Sequence, residues 1–323
     1  MVPGLILIIL ILSFILIKST DQVVIAIRRL SRESSSKAFV ISALLIALST
    51  SFPELSVGIT SALEGVPSLS LGNVLGANIT NISLVAGLSA LVVGRVHIQN
   101  KFLKRDVFVA LTAGILPLFL VLDGNLSKID GLILISLYGA YSSSFFKRRF
   151  LEIALEHKKE SFIHRFLRKF SHIDSLKTKE AARLFIGIAV LLLSASLIVR
   201  VATELSYIAK IPVFLIGLVI LSVGTTLPEL AFSFRSLEDN EPSMYFGNIL
   251  GSIIANSTLI VGITALIMPI KVDGIREYVF AAGTFVATFL IFWYFVKSKL
   301  RLDRWEAGVL LIIYITFVVV EFF

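Results

Sequence analysis

The sequence predicts an all-α integral membrane protein with ten transmembrane helices, arranged as two inverted five-helix repeats in which helices 2, 3, 7 and 8 are broken. Three observations predict this fold: an excess of apolar residues, apolar stretches of membrane-spanning length, and an internal repeat. Of the 323 residues, 56% are hydrophobic and only 16% are charged, whereas a soluble domain carries about 25% charged residues. The apolar excess is therefore expected to face lipid.

The apolar stretches have the length that a transmembrane helix needs, which is roughly 20 residues. A β-barrel would need short alternating segments, which this sequence does not contain. The apolar start of the chain is interpreted as a retained first helix and not a signal peptide, since no basic segment precedes it and no small-x-small cleavage site follows. The predicted helices span residues 2–27, 38–63, 68–93, 106–122, 129–146, 184–208, 212–236, 243–269, 277–296 and 305–322.

The distribution of Lys and Arg predicts the orientation of these helices. With the N-terminus outside, the loops on the inner side carry twenty-four Lys and Arg, and the outer loops carry five. Basic loops favour the cytoplasmic side. Both termini are therefore expected outside a cell (plasma) membrane, and the net charge of +8 is explained by membrane topology without a nucleic-acid partner.

The longest polar segment, residues 147–183, divides the chain into a first repeat, 1–146, and a second repeat, 184–323. Its aromatic residues at helical spacing, with basic residues between them, predict an amphipathic helix on the anionic inner leaflet. We expect this segment to be a basic cytoplasmic linker. The sequence contains no EF-hand pattern and indicates neither a cofactor nor an obligate protein partner. The lipid bilayer is the expected surrounding.

Two motifs occur twice with the same separation of 175 residues. Residues 49–54, Ser-Thr-Ser-Phe-Pro-Glu, recur as Gly-Thr-Thr-Leu-Pro-Glu at 224–229. Residues 72–77, Gly-Asn-Val-Leu-Gly-Ala, recur as Gly-Asn-Ile-Leu-Gly-Ser at 247–252. Because each half has an odd number of spans, the second half is predicted to be inverted relative to the first. Inverted repeats with broken helices are typical of secondary transporters.

A proline interrupts each copy of the first motif. Pro53 and Pro228 lack an N–H group and clash with the carbonyl four residues earlier, so each helix is expected to break or kink there. The carbonyls of Ser49 and Gly224 then lose their helical partner. Free backbone carbonyls are potential cation ligands.

Each proline is followed directly by a glutamate. A carboxylate near the centre of a membrane costs about 2.5–3.5 kcal/mol on insertion scales, so Glu54 and Glu229 are predicted to be functional. Thr50 lies four residues before Glu54, and Thr225 lies four residues before Glu229, which puts each pair on one helix face. These four residues are the predicted centre of a cation site.

Further polar residues lie near this predicted site. The hydroxyls of Ser51 and Thr226 either line the pocket or bond to their own helix. Asn81 and Asn256 add amide groups to the pocket, and Asn73 and Asn248 are expected to form hydrogen bonds between helices.

The predicted site has a charge of −2, which one Ca²⁺ or two monovalent cations would neutralise. Ca²⁺ takes six to eight oxygen ligands in a flexible cage. Two empty carboxylates ~5 Å apart would repel by roughly 3 kcal/mol at an effective dielectric constant of ~20, so the empty site would attract Na⁺ or H⁺. A Ca²⁺ antiporter driven by Na⁺ follows, with a Ca²⁺/H⁺ antiporter as the alternative and a passive cation channel as a weaker one. An enzyme is not indicated, since the HExxH and GxSxG motifs are absent.

At these motifs the sequence resembles the cation/calcium exchanger superfamily, specifically its prokaryotic sodium/calcium exchanger-like branch. The resemblance implies alternating access through movement of the first and sixth helices. It implies Ca²⁺ ligands at Glu54, Glu229, Thr50 and Thr225. It implies Na⁺ ligands at Ala47, Thr50, Ser222, Thr225, Ser252 and both glutamates.

The sequence departs from the family pattern at three positions. Ser49 stands where the family has glycine, and Ala77 stands where a serine hydroxyl is expected. Asn256 occupies a position that is Asp in some members, so this site has one charge fewer, which argues against potassium co-transport. The lack of a hydroxyl at Ala77 leaves the sodium stoichiometry open and is compatible with proton coupling.

The predicted inverted topology leads to a labelling experiment. The chain has no Cys, so single cysteines introduced at Val66 and Asn240 report on the loops after the second and seventh helices. A membrane-impermeant maleimide added to intact cells should label the cysteine at 66 and spare the cysteine at 240 until the cells are lysed. A cysteine at Lys128 is the outer-side control. Labelling of both test positions from outside would contradict the inverted repeat.

Overall fold

The computed structural model describes residues 2–32, 50–94, 96–97, 100–156, 174–239, 241–272 and 275–322, and most of these residues are helical. Ala47 and Ser49, which the sequence analysis singled out, lie outside the described residues. The helices are α1 Val2–Arg32, α2 Phe52–Leu63, α3 Pro67–Val93, α4 Asn100–Leu120, α5 Lys128–Glu156, α6 Asp174–Ala209, α7 Val213–Glu238, α8 Pro242–Ile267, α9 Ile275–Lys299 and α10 Arg304–Phe322.

Several of these helices have the dimensions of membrane spans. Among the described residues, six segments are long and apolar enough to cross a membrane by length and composition, and a shorter apolar segment runs from Asp106 to Leu120. The six segments are Val2–Ala26, Pro67–Val93, Ala182–Ala209, Val213–Glu238, Pro242–Ile267 and Ile275–Ser298. The predicted all-helical, membrane-type architecture is therefore confirmed.

The chain breaks out of helical geometry immediately before both prolines, as predicted. Ser51 has φ −90° and ψ 7°, and Thr226 has φ −87° and ψ 1°, which is the sparsely populated region between α and β. A new helical segment then starts with the proline in its first turn, where the missing N–H is not needed. The two breaks are 175 residues apart and have the same backbone conformation.

The prediction that helices 3 and 8 are broken is wrong for the described structure. Both helices continue through a π-helical segment, Asn81–Val85 in α3 and Ala255–Ile260 in α8. No proline occurs at these places, so nothing removes a backbone donor. One residue is instead accommodated by wider turns, a feature frequent at functional sites. A third π-helical segment, Ile216–Leu221, precedes the break in α7.

The helices next to the predicted linker are longer than the hydropathy pattern indicated. Helix α5 extends to Glu156 and α6 begins at Asp174, so both described ends of the segment 147–183 are helical. Hydropathy marks where a helix leaves apolar surroundings, and polar residues can continue the same helix beyond that point. The predicted amphipathic helix around Phe162, Phe166 and Phe170 lies outside the described residues.

Two short antiparallel ladders were not predicted for this all-α chain. Strand β1, Val96–His97, pairs with β4, Arg301–Leu302, and β2, Asn125–Leu126, pairs with β3, Ile270–Lys271. Each ladder joins a loop of the first half to a loop of the second half. The halves are therefore tied together by backbone hydrogen bonds as well as by packing.

Helices α3 and α7 approach each other so closely that their backbones touch. A Cβ atom on Gly72 would lie 2.0 Å from the carbonyl oxygen of Phe214, and one on Gly76 would lie 1.9 Å from that of Leu218. From the other side, a Cβ on Gly217 would lie 2.3 Å from the Leu69 carbonyl oxygen. Small residues permit such contacts between membrane helices, and this contact positions the broken part of α7 beside α3.

Substitution of Gly76 by alanine should therefore destabilise the protein. The added methyl group would overlap a backbone oxygen, which a side-chain rotation cannot relieve. We expect a loss of about 3 kcal/mol or more, seen as a lower melting temperature and less monodisperse protein in detergent. Gly139→Ala is the matched control, because Gly139 is exposed on α5 and no described atom lies within 4 Å of its Cβ position. Equal stability of the two variants would contradict the close contact of α3 and α7.

Candidate cation site

Glu54 and Glu229 occupy equivalent places in the two broken helices. Each lies in the first turn of the segment that follows the break, at Phe52–Leu63 and Leu227–Glu238, and each has 0% exposed surface. The positive end of a helix dipole favours a carboxylate in a first turn by about 0.3–1 kcal/mol. The same break that interrupts the helix therefore creates a local N-terminus for the charge.

The two carboxyl groups lie close enough to repel each other electrostatically. Neither forms an ion pair with a described basic residue, whereas another buried carboxyl group, that of Glu180, bonds to Arg183 at 2.9 Å. Both oxygens of Glu54 and Oε2 of Glu229 are buried without a hydrogen-bond partner among the described residues. Buried polar atoms in this state are rare in folded proteins. These oxygens are therefore available to a cation.

Two threonine–asparagine pairs connect the halves around the carboxylates. The Thr50 hydroxyl donates to Oδ1 of Asn248 at 3.3 Å, and the Thr225 hydroxyl donates to Oδ1 of Asn73 at 3.1 Å. The two bonds are counterparts, since each joins the position after a repeat's first residue to the asparagine of the other repeat. The expected interhelical role of the two asparagines agrees with these contacts.

These bonds decide which face of each hydroxyl is available. A threonine hydroxyl has one proton and two lone pairs. Because the proton points to an amide oxygen, the lone pairs of Thr50 and Thr225 remain as acceptors. Thr225 lies near Glu54 and Thr50 lies near Glu229, so the acceptors of each half lie beside the carboxylate of the other half.

The site is asymmetric at Ser252 and its counterpart Ala77. Ser252 Oγ donates a long hydrogen bond of 3.4 Å to Oε1 of Glu229 and lies 3.5 Å from the Thr50 hydroxyl. Ala77 is completely buried and offers no hydroxyl. Glu54 therefore lacks the donor that Glu229 has, which explains why both oxygens of Glu54 have no partner.

The buried asparagines of the π-helical segments also differ. Both side-chain polar atoms of Asn81 lack a partner among the described residues, whereas Asn256 donates from Nδ2 to Oδ1 of Asn78 at 3.2 Å. Asn78 in turn donates to Ser257 Oγ at 2.7 Å. The sequence analysis missed Asn78, because its counterpart is Ile253 and the repeat-based comparison highlights matched positions.

The remaining predicted residues are placed as follows. Ser51 is buried at the first break. The Thr226 hydroxyl donates to the carbonyl of Ser222 at 2.9 Å, so it bonds within its own helix. The Ser222 hydroxyl likewise donates to the Leu218 carbonyl at 2.6 Å, and it lies against α3. The proton of each hydroxyl is thus bound locally.

Taken as a unit, the described site holds two carboxylates in a dry environment with acceptors directed inward and most donors bound elsewhere. Hard cations such as Ca²⁺ and Na⁺ are bound by oxygen atoms of this kind. The arrangement can therefore bind a cation and neutralise it across the two halves of the chain.

Comparison with known proteins gives the same answer. The sequence model of the family described as sodium/calcium exchanger protein matches residues 4–147 and 179–323. The sodium/calcium exchanger MaX1 of Methanosarcina acetivorans is 27% identical over 95% of this chain and 95% of its own. An uncharacterized membrane protein of Methanocaldococcus jannaschii is 30% identical over 92% of this chain and 91% of its own. A solved structure of the sodium-calcium exchanger NCX_Mj, soaked with zero Na⁺ and Ca²⁺, has a TM-score of 0.59 at 27% identity and covers 99% of this chain and 98% of that one.

The hydrogen bonds at the second break distinguish the two adjacent threonines. Thr225→Val removes an inward acceptor and leaves Oδ1 of Asn73 without its donor, so it should weaken Ca²⁺ binding about tenfold and lower the melting temperature. Thr226→Val is the control, since the Ser222 carbonyl still accepts the backbone N–H of residue 226 at 3.0 Å. The measurement is the Ca²⁺ dependence of the melting temperature of each purified variant. Equal losses in the two variants would show that Thr225 has no special place in the site.

Proposed function

The chain belongs to the sodium/calcium exchanger protein family, and we propose that it exchanges Ca²⁺ for Na⁺ across the cell membrane by alternating access. The observation that carries this proposal is the pair of fully buried carboxylates, Glu54 and Glu229, whose oxygens mostly lack partners. The family supplies the class of activity, which is cation exchange in a membrane. The choice of ions rests on the residues of this chain.

The charge and ligands of the site support Ca²⁺ as one substrate. One Ca²⁺ neutralises two carboxylates, and hydroxyl and carbonyl oxygens complete its shell of six to eight ligands. Glu54, Glu229, Thr50 and Thr225 are the proposed Ca²⁺ ligands. Mg²⁺ fits less well, because it demands a tighter octahedron and gives up its water reluctantly.

Sodium is the proposed counter-ion. The proposed Na⁺ ligands are Ala47, Thr50, Ser222, Thr225 and Ser252 together with the two glutamates. An empty site keeps two repelling carboxylates in a medium of low dielectric constant, which is unfavourable. The protein should therefore change its orientation only when cations occupy the site, and this requirement couples the two ion fluxes.

For the architecture, we propose ten membrane spans in two inverted halves, 1–146 and 184–323, with both termini outside and the segment 147–183 in the cytoplasm. Helices α1 and α6 pack chiefly against each other, through Ile9, Leu16, Leu191 and Ile198 among others. They therefore form a pair that could move as one unit relative to the helices that carry the glutamates.

Proton coupling is the second candidate, and one observation favours it. Ala77 leaves Glu54 without a hydroxyl neighbour, so a monovalent metal ion in the first half has one oxygen ligand fewer than in the second half. A proton needs only the carboxylate. Ca²⁺/H⁺ antiport by the same fold is thus the alternative to Na⁺ coupling.

The proposal is tested by uptake of radioactive calcium into proteoliposomes under an imposed Na⁺ gradient or an imposed pH gradient. Uptake driven by Na⁺ supports the proposal, and uptake driven only by the pH gradient supports the alternative. Sealed vesicles should also retain the calcium gradient when no counter-ion is present, which a channel would not allow.

In the same assay, Glu54→Gln and Glu229→Gln should each lower exchange by roughly a hundredfold or more, since removing one charged partner of a buried ionic contact costs 3–5 kcal/mol. Glu64→Gln is the matched control. Glu64 lies at the end of the same helix as Glu54 but contacts Arg200 at 3.5 Å and is partly exposed. Near-normal exchange by both Glu54→Gln and Glu229→Gln, with folding intact, would refute the proposed site.

A further inference from the structure

We propose that Asn78 is a positioning residue, which holds the amide of Asn256 so that its carbonyl oxygen faces the cation site. Asn256 and Asn78 are both buried, and neither belongs to the carboxylate–threonine centre described above. Their hydrogen bonds form a chain with a defined direction: Asn256 Nδ2 donates to Asn78 Oδ1 at 3.2 Å, and Asn78 Nδ2 donates to Ser257 Oγ at 2.7 Å.

The direction of this chain leaves one atom available, which is Oδ1 of Asn256. It is buried and has no hydrogen-bond partner among the described residues. Asn256 follows Ser252 by four residues, so the two side chains lie on the same face of α8, and Ser252 contacts Glu229. The π-helical segment that contains Asn256 also contacts the helix of Glu54. The free oxygen thus lies on the face of α8 that lines the site.

The orientation of this amide matters because its two ends have opposite effects on a cation. With Oδ1 inward, Asn256 adds an acceptor to the cation's surroundings. With Nδ2 inward, it would donate hydrogen bonds to the partnerless oxygens of Glu54 and stabilise the empty site in competition with the cation. By binding Nδ2, Asn78 removes a donor from the site.

The first half of the chain shows what happens without such a partner. The counterpart of Asn78 is Ile253, which is apolar and cannot bind an amide. The counterpart of Asn256 is Asn81, and neither of its amide atoms has a hydrogen-bond partner among the described residues. Only the second-half asparagine has a defined orientation in the described structure.

The inference rests on the proposed function only in that a cation occupies the site, so the test measures binding and not transport. The half-saturating concentrations of Ca²⁺ and of Na⁺ are determined from the melting temperature of the purified full-length protein. Asn78→Leu keeps the side-chain volume and removes both hydrogen bonds. We expect it to raise the half-saturating Ca²⁺ concentration about three- to tenfold, the effect of one lost hydrogen bond.

A double-mutant cycle shows whether Asn78 acts through Asn256. In an Asn256→Leu background, Asn78→Leu should have no further effect on Ca²⁺ binding, because the amide that it orients is gone. Ser70→Ala is the control for general packing, since the Ser70 hydroxyl forms a buried 3.0 Å hydrogen bond with Thr264 between the same two helices. It should leave the half-saturating Ca²⁺ concentration unchanged in either background.

If Asn78→Leu does not fold, Ser257→Ala takes its place, because it removes the acceptor that orients the Asn78 amide and should weaken Ca²⁺ binding by a smaller factor. Additive effects of Asn78→Leu and Asn256→Leu, or equal effects of Asn78→Leu and Ser70→Ala, would overturn the inference. If the wild-type protein binds cations with this dependence on Asn78 but does not exchange Ca²⁺, the proposed function fails and the positioning role stands.

Discussion

The repulsion between two buried carboxylates is the constraint on which the rest of this structure depends. Glu54 and Glu229 have no exposed surface and no basic partner among the described residues. Burying such charges without compensation is expensive, and proteins normally pair them with a cation. Here the compensation within the chain is incomplete: two helix N-termini and one long hydrogen bond from Ser252. The remaining part has to come from an ion that enters and leaves.

The surrounding residues keep that compensation incomplete. The threonine hydroxyls donate to Asn73 and Asn248, and the Asn256 amide donates to Asn78. Each bond turns a donor away from the carboxylates and leaves an acceptor near them. Such an arrangement needs helix backbones in close contact, which the glycines at 72 and 76 permit. Gly224 contributes in the same way, since a Cβ there would lie 2.6 Å from Ser13 Oγ of α1.

The sequence was sufficient to predict the features that follow from local chemistry or from the repeat. Proline without an N–H predicts the breaks at Ser51 and Thr226, and the spacing of 175 residues predicts that Glu54 and Glu229 are equivalent. The π-helical segments could not be predicted, because wide turns carry no proline or other local marker and result from tertiary packing. The orientation of an amide depends on its neighbours in space, so the role of Asn78 was equally hidden. Helix ends beyond the apolar stretch, as in α5, escape a criterion based on hydropathy.

The differences between the two halves give the two carboxylates different properties. Glu229 receives a hydrogen bond from Ser252, whereas Ala77 gives Glu54 none. On the second-half side an oriented asparagine supplies a fixed acceptor, and on the first-half side Asn81 has no partner that fixes it. A cation that binds between the halves therefore satisfies more unpartnered oxygens at Glu54 than at Glu229. Since the stabilisation gained from a cation is largest where the empty state is least compensated, Glu54 should contribute more than Glu229 to the difference in free energy between the occupied and the empty site. Two positions related by the repeat are thus equivalent in geometry but unequal in energy, and the inequality originates in single substitutions next to each carboxylate.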